Sequence, residues 1–441
     1  MTTRTSRLPG FYKVSVDERR ALVSEATGIG ADDVARSLDA GGLDDETADK
    51  FVENVIGTYA LPYGVALNVR VNARDYVVPM VVEEPSVVAA ASNAARMIRE
   101  GGGFRAEADA PLMTAQIQLT AVPDRAAATA RILARKAELL AFADGALAGL
   151  VERGGGARDL EVRELGDDIE GMLVVHVYVD CRDAMGANLV NGMAERIAPN
   201  LAELAGGGIG LRILSNLCDR RCVRVACRVP FAALATEDFP GDEVATGIVR
   251  ASRFAELDPY RAATHNKGIM NGIDAVVIAS GNDWRAVEAG AHAFAARSGA
   301  YRPLATWRAV EDHLVGRIEL PMALGTVGGT LRVHPAARLS LRLLAIASAQ
   351  DLAMVAASVG LASNLAAVRA LATCGIQRGH MALHARSVAL AAGATGDEVE
   401  RVATMIVEAR DITLEAASKA LGVVRASGET RELGSWEQIV D

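Results

Sequence analysis

The sequence predicts an α+β protein with three parts: a large, mainly helical domain, a smaller β-α-β-β-α-β domain inserted within it, and a helical C-terminal tail. Three observations carry this. Between 110 and 216, short runs of strand pattern and helix pattern alternate in the order of a ferredoxin-like unit. Hydrophobic residues make up 51% of the chain and aromatics only 4%, so Ala, Val and Leu do the packing, as in alanine-rich helical proteins. The length of 441 residues allows two or three domains and a sizeable core.

Taken in order, residues 17–40 read as short helices with polar caps. The stretch from Asp44 to Ile56 continues helical up to Gly57. Val65 to Val71 and Tyr76 to Val82 read as strands around the turn Asn72-Ala-Arg-Asp75, a hairpin signal. Glu83 and Glu84 end the second strand. Pro85-Ser86 then opens an alanine-rich helix to about Arg99, with Pro in its first turn. In the inserted unit, Ala115 to Ala121 alternates as a half-buried strand, and Arg125 to Val151 reads as one long helix. Leu160 to Leu165 and Met172 to Asp180 are strands, Leu189 to Leu204 a helix and Leu211 to Leu217 the last strand. Val223 to Val229 alternates with Arg224 and Arg228 as a strand of the large domain, and helices dominate afterwards. Gly375 and Gly379 bracket a hinge signal before the helical tail.

The net charge of −9 argues against nucleic acid and against an anionic membrane as partners. It does not exclude a phosphate-bearing cofactor, whose site is local. Cys181, Cys218, Cys222, Cys227 and Cys374 are odd in number and fit no usual zinc spacing, so they read as buried thiols and no metal is expected. Met1 to Gly10 lacks the apolar core of a signal peptide. Leu339 to Leu371 is cut by Arg342, Asp351 and Arg369, and reads as one or two buried helices, not a membrane span. A cytoplasmic protein is expected.

The chemistry concentrates between His265 and Asp283. Lys267 stands among small and amide residues, an apolar run follows from Ala275 to Ala279, and Asp283 lies in a Gly-Asn-Asp turn. A lysine kept cationic by a carboxylate can polarise a carbonyl and donate a proton to the oxyanion formed there. The plain alternative is a surface lysine and a solvated aspartate. Of Glu83 and Glu84, adjacent on a strand, one points inward and the other outward. An inward glutamate near a second carboxylate would serve as an acid; the plain alternative is two solvated acids. His380 and His384 share a face if helical, but lack the Glu of a zinc-binding His-Glu-x-x-His pattern. His176, in a strand, reads as a satisfied core histidine. Asp183-Ala-Met-Gly-Ala-Asn188, with Asn188 as helix cap, is compatible with a plain β-α turn or with one whose N–H groups face a phosphate. Neither it nor Gly208-Ile-Gly210 is a Rossmann fingerprint.

Seven motifs in order give this chain a resemblance. They are Glu53-Asn-Val-Ile-Gly57, Glu83-Glu-Pro-Ser86, Asp183 to Asn188, Asp258-Pro-Tyr-Arg-Ala-Ala-Thr-His-Asn-Lys-Gly268, Gly281-Asn-Asp283, Gly325-Thr-Val-Gly-Gly329 and Gly379-His-Met381. Together they resemble 3-hydroxy-3-methylglutaryl-CoA (HMG-CoA) reductase of the soluble bacterial class II. The resemblance implies the interconversion of HMG-CoA and mevalonate plus CoA by two hydride transfers. Implied catalytic residues are Glu84, Lys267, Asp283 and His380. Asp183, Met185, Gly186, Ala187, Asn188 and Asn216 would bind the cofactor, and Ser86, Arg261 and Asn271 the substrate. Residues 1–109 and 217–375 would form the substrate-binding and dimerisation domain, 110–216 the NAD(P)-binding domain and 376–441 a mobile flap carrying His380. Family members are homodimers or higher assemblies with sites at the subunit interface.

NAD(H) is the expected cofactor and NADP(H) the second choice. Members that use NAD carry an acidic residue in the small domain's first helix. Here that position is Leu147, with Asp144 about a turn earlier as a substitute. The expected role is mevalonate catabolism. The alternatives are biosynthetic, NADPH-dependent mevalonate formation and a CoA-ester-binding relative without catalysis. A CoA-dependent aldehyde dehydrogenase or acyl transferase would need an activated cysteine, and none is recognisable.

Overall fold

The computed structural model describes residues 4–166, 171–373 and 376–434. Among the described residues, ten strands form two sheets: β1 (Tyr63–Val71), β2 (Arg74–Val81), β3 (Phe104–Ala108), β4 (Leu112–Thr120), β5 (Gly156–Gly166), β6 (Gly171–Asp180), β7 (Gly208–Ser215), β8 (Cys222–Pro230), β9 (Ala305–Val310) and β10 (His313–Pro321). The four-stranded sheet has the order β5-β6-β4-β7, all antiparallel. With helices between β4 and β5 and between β6 and β7, this is the expected ferredoxin-like unit. The six-stranded sheet, β2-β1-β3-β8-β10-β9, belongs to the large domain. Only β1, β2 and β8 of it are anticipated from sequence.

The β1–β2 hairpin turns at Asn72 and Ala73, both with positive φ, as a two-residue turn between twisted strands requires. Four expectations are corrected. The helix expected over 125–151 is broken into Arg125–Ala134, Lys136–Gly145 and Ala148–Val151, because Arg135 and Leu147 leave helical geometry. Ile132 and Leu139, on either side of the first break, are both buried in the small-domain core. The helix expected from Asp44 to Ile56 stops at Phe51, where Val52 is extended. Pro85 precedes the helix Val87–Glu100 and does not lie in its first turn. Asn188 is not a cap: the helix Ala187–Ala205 starts at Gly186, whose φ of 105° favours glycine.

The apolar run before Asp283 is helical, the C-terminal half of the helix Pro259–Ala279. Leu339 to Leu371 resolves into the helices Pro335–Leu344 and Ala349–Ala372. Ala349–Ala372 is the one helix, among the described residues, long and apolar enough to cross a membrane, and 78% of its apolar window is buried inside the protein. It is the axis of the large core. Helix Pro259–Ala279 crosses it closely through two glycines. A Cβ on Gly272 would fall 2.8 Å from the Val359 carbonyl, and one on Gly360 would fall 2.6 Å from Ile273. The three C-terminal helices, Ile376–Ala391, Glu398–Glu408 and Leu414–Gly434, enclose a core of their own around Ala389, Val402, Ile406 and Leu421.

The central helix also anchors the far sheet edge. The Trp307 indole N–H of β9 donates to Asn364 Oδ1 at 2.7 Å, both residues being fully enclosed. Replacing Asn364 with Ala strands that buried donor and is expected to cost about 1–3 kcal/mol. A lower urea midpoint is the readout; an unchanged midpoint would mean that the indole finds another acceptor.

Candidate active site

Helix Pro259–Ala279 opens with Asp258, whose carboxylate accepts the Arg261 N–H at 2.8 Å, and with Pro259 in the first turn. Two turns on, Lys267 Nζ donates to Glu84 Oε2 at 2.6 Å, and Asn271 Nδ2 donates to the same oxygen at 3.3 Å. Lys267 and Asn271 are i, i+4 and share a face. Glu84 lies just past the end of β2, in the connection to helix Val87–Glu100. Its partners are a cation and an amide, not the second carboxylate that the sequence suggested.

Ser86 follows in a left-handed conformation, φ 77°, which a residue with a Cβ adopts only against a cost of order 1 kcal/mol or more. Its Oγ is buried and has no hydrogen-bond partner. A strained residue with an orphaned hydroxyl, beside a lysine–glutamate pair, is a site built for something that brings its own polar atoms. Arg261 lies about 9 Å before Lys267 along the helix axis and around its circumference from it. Its field acts on His265, and partial burial lowers its pKa.

Asp283 is elsewhere. About 18 Å of helix separates Lys267 from Ala279, and the short turn Ser280–Asp283 cannot span that distance backwards. Asp283 caps the next helix, Trp284–Ala295, accepting the Ala286 N–H at 3.1 Å, and lies 3.9 Å from Arg285. The Lys267–Asp283 pair expected from sequence is therefore not formed within one chain. A straight helix holds the two residues apart.

Asp283 instead lines a cleft of about 340 Å³ with Ala184, Met185, Gly186, Ala187 and Asn188 on one wall and Val327 to Gly329 on the other. Gly186 fits this wall tightly, since a Cβ there would collide with Cys181 Sγ. The 19-residue helix Ala187–Ala205 starts at the cleft, so its free N–H groups and dipole are available to an anion. These features fit a dinucleotide phosphate.

Asp183 stands behind the wall, not on it. Its carbonyl accepts the Thr326 N–H at 2.8 Å and its carboxylate accepts the Ala349 N–H at 2.9 Å. Two residues not singled out from sequence complete the frame. Asn282 clamps Gly325 on both sides, accepting its N–H at 2.7 Å and donating to its carbonyl at 3.1 Å. Arg221, 5% exposed, donates to the carbonyls of Met185 at 3.2 Å and Leu324 at 2.5 Å. The Gly-Asn-Asp motif contained the first signal; nothing in the sequence marked Arg221 out from Arg220.

Asn216 is exposed, just past β7, at the same end of the small sheet as the Asp183–Asn188 turn but outside the cleft lining. Leu147 is 3% exposed and belongs to the small-domain core, so it presents nothing to a ribose. Asp144 is engaged as well: it accepts the Ala157 N–H at 2.7 Å. His176 is buried and satisfied by Gln116 at 2.9 Å, as expected. Cys181, Cys218, Cys222 and Cys227 are buried and free, and burial pushes the thiols up to about 12, 11, 12 and 12. His380 lies on helix Ile376–Ala391, but its side chain, like Cys374 and Gly375, is outside the described residues. His384 is exposed.

The family model for hydroxymethylglutaryl-coenzyme A reductase matches residues 15–385. The 3-hydroxy-3-methylglutaryl-coenzyme A reductase of Archaeoglobus fulgidus is 49% identical over 96% of this chain and 95% of its own. A probable reductase of the same name from Borreliella burgdorferi is 36% identical over 76% of this chain and 77% of its own. A solved reductase of Streptococcus pneumoniae superimposes with a TM-score of 0.80 at 44% identity, covering 94% of this chain and 99% of its own. A class II structure from the same organism, bound to NADPH in open conformations, gives 0.80 at 45% identity over 83% of this chain and 99% of its own. On the match of the family model and on these identities, the chain belongs to the hydroxymethylglutaryl-coenzyme A reductase family.

Proposed function

We propose that the chain interconverts HMG-CoA and mevalonate plus CoA through two successive hydride transfers, with Glu84, Lys267, Asp283 and His380 as the catalytic groups. The observation that carries this reading is the Glu84–Lys267–Asn271 constellation beside the unpaired hydroxyl of Ser86. The nicotinamide dinucleotide, held by Met185, Gly186, Ala187 and Asn188, with Asn216 nearby, supplies the hydride. Lys267 polarises the thioester carbonyl and stabilises the developing oxyanion. His380 protonates the departing CoA thiolate. Glu84, in contact with Lys267, provides the proton for the second reduction. Arg261, Asn271 and Ser86 hold the carboxylate and hydroxyl of the acyl group.

Since Lys267 and Asp283 cannot meet within one chain, their cooperation requires a second copy. The segment after Phe51 supports the same reading: Ile56, within Glu53–Gly57, and Tyr59, two residues past it, are 105% and 91% exposed, an apolar surface to be covered. The working unit in this reading is a homodimer or higher assembly in the cytoplasm. Residues 1–109 and 217–375 bind HMG-CoA and dimerise, 110–216 bind the cofactor, and 376–441 form the flap that brings His380 to the substrate.

The preference for NAD and a catabolic direction rest on the resemblance, since neither Leu147 nor Asp144 offers a free carboxylate. The NADPH-bound neighbour favours the second reading, biosynthetic mevalonate formation. Absorbance at 340 nm with mevalonate, CoA and either NAD or NADP decides between them: NAD alone is expected to give signal, and a preference for NADP would overturn that.

Lys267→Ala is expected to remove both hydride steps; near-normal turnover would end the proposal and return the chain to a CoA-ester binder. Replacing His380 should impair the CoA-dependent step and spare reduction of free mevaldehyde, and equal losses in both would refute its role. Ser86→Gly is expected to raise KM for HMG-CoA while leaving stability unchanged or higher by up to about 1 kcal/mol, because the left-handed backbone relaxes. A clear loss of stability would assign the hydroxyl to the fold, not to a ligand.

A further inference from the structure

A line of polar groups runs behind the Lys267 face. Asp274 follows Lys267 at i+7 and Asn271 at i+3, so all three lie along one side of helix Pro259–Ala279. Its Oδ1 is buried and has no hydrogen-bond partner. Facing it, on helix Trp284–Ala295, is Glu288, whose Oε2 is 2.6 Å from His292 Nε2. The other ring nitrogen of His292 is 2.6 Å from the Tyr301 hydroxyl, and the two rings stack. Asn266, beside Lys267, ties the segment just after Tyr301 to the helix: it donates to the Arg302 carbonyl at 3.0 Å and accepts the Leu304 N–H at 2.9 Å. The line thus leaves the helix at Asp274 and runs through Glu288 and His292 to Tyr301. Helix Trp284–Ala295 is itself capped by Asp283, and its Gly290 lies against the Asn216 carbonyl, where a Cβ would come within 2.6 Å.

Two half-buried carboxylates in contact resist ionising together. A proton on Asp274, donated to Glu288, gives the orphaned position its partner. The directions agree. Burial first, then the bond to Glu288 and its charge, push Asp274 up to about 9, whereas the bond to His292 lowers Glu288 and the bond to Glu288 raises His292. Among the described residues, the other elements packed on this helix, β2 and the helices Val87–Glu100, Gly241–Leu257, Pro335–Leu344 and Ala349–Ala372, bring no further titratable group to bear on Asp274. These directions favour the proton on Asp274, the charge on Glu288 and the protonated form of His292.

We propose that Asp274 is a positioning residue for the catalytic face: it shares a proton with Glu288, and that bond fixes the helix of Lys267 and Asn271 against the helix of Asp283. The proposal rests on the reading of those residues as catalytic. Below the titration of the pair the bond holds. Above it two carboxylates repel, the helices part and activity falls as pH rises.

The test uses the full chain as wild type, Asp274→Asn and Asp274→Ala. It measures kcat/KM for CoA-dependent mevalonate oxidation from pH 6 to 10 and the NMR titration of the His292 ring, assigned by its loss in His292→Gln. The Ala variant is expected to lose on the order of ten- to a hundredfold in kcat/KM, the scale of a displaced catalytic group. The Asn variant, which keeps an uncharged donor, should recover most of the loss and keep its rate where the wild type declines with alkaline pH. The His292 midpoint should move in the Ala variant. An unchanged alkaline limb in the Asn variant, or an Ala variant with wild-type rate and an unmoved His292 midpoint, would overturn the proposal. A drop in both variants without rescue would reduce Asp274 to an ordinary structural residue, which also overturns it. If the wild type turned over no mevalonate at all, the assigned reaction would fail, and the His292 midpoint would still test the array.

Discussion

The site depends on the stiffness of one helix. Pro259–Ala279 places Lys267 in its middle and delivers Asp283 just beyond its end, and an α-helix does not bend back on itself. Everything else follows from where that rod is held. Gly272 and Gly360 let it cross the central helix with little space between the backbones. The crossing sets the height of Lys267 against the end of β2, and so against Glu84. Asp283 goes with the small-domain turn instead. One chain therefore carries two complementary halves, a lysine–glutamate half and an aspartate–glycine half.

The two halves are rigid for different reasons. The first stores strain: the left-handed Ser86 and its unpaired hydroxyl persist only because helix Val87–Glu100 and β2 fix the residues on both sides. The second is framed by backbone hydrogen bonds. Arg221 spends its buried charge on carbonyls, Asn282 clamps Gly325, and Asp183 ties the turn to the first residue of the central helix. The cleft wall and the core axis are thus joined through the Asp183 carboxylate.

Much of this was legible in the sequence, and the failures have physical causes. The small sheet was readable because its strands alternate cleanly and glycines mark its turns. β9 and β10 were not, although Leu314, Ile318 and Leu320 alternate inward, because Gly316 leaves a gap in the pattern. That gap is filled by the Trp307 ring from the neighbouring strand, which no local window contains. The break at Arg135 was hidden because arginine favours helix; packing on both sides of it decides the geometry. Lys267 and Asp283 look like neighbours in sequence, and only the helical rise separates them. Asp183, which the resemblance gives to the cofactor, also accepts the Ala349 N–H with one carboxylate oxygen, a contact no motif marks.

The buried thiols bear on redox chemistry. A chain proposed to release free CoA works beside a small, reactive thiol of its own making. Disulfide exchange requires a thiolate and access to it. Cys181, Cys218, Cys222 and Cys227 offer neither, being at most 3% exposed and held protonated by burial. Around these four residues the fold is closed to capture by its own product, and an oxidised pool of CoA would pass them without forming mixed disulfides.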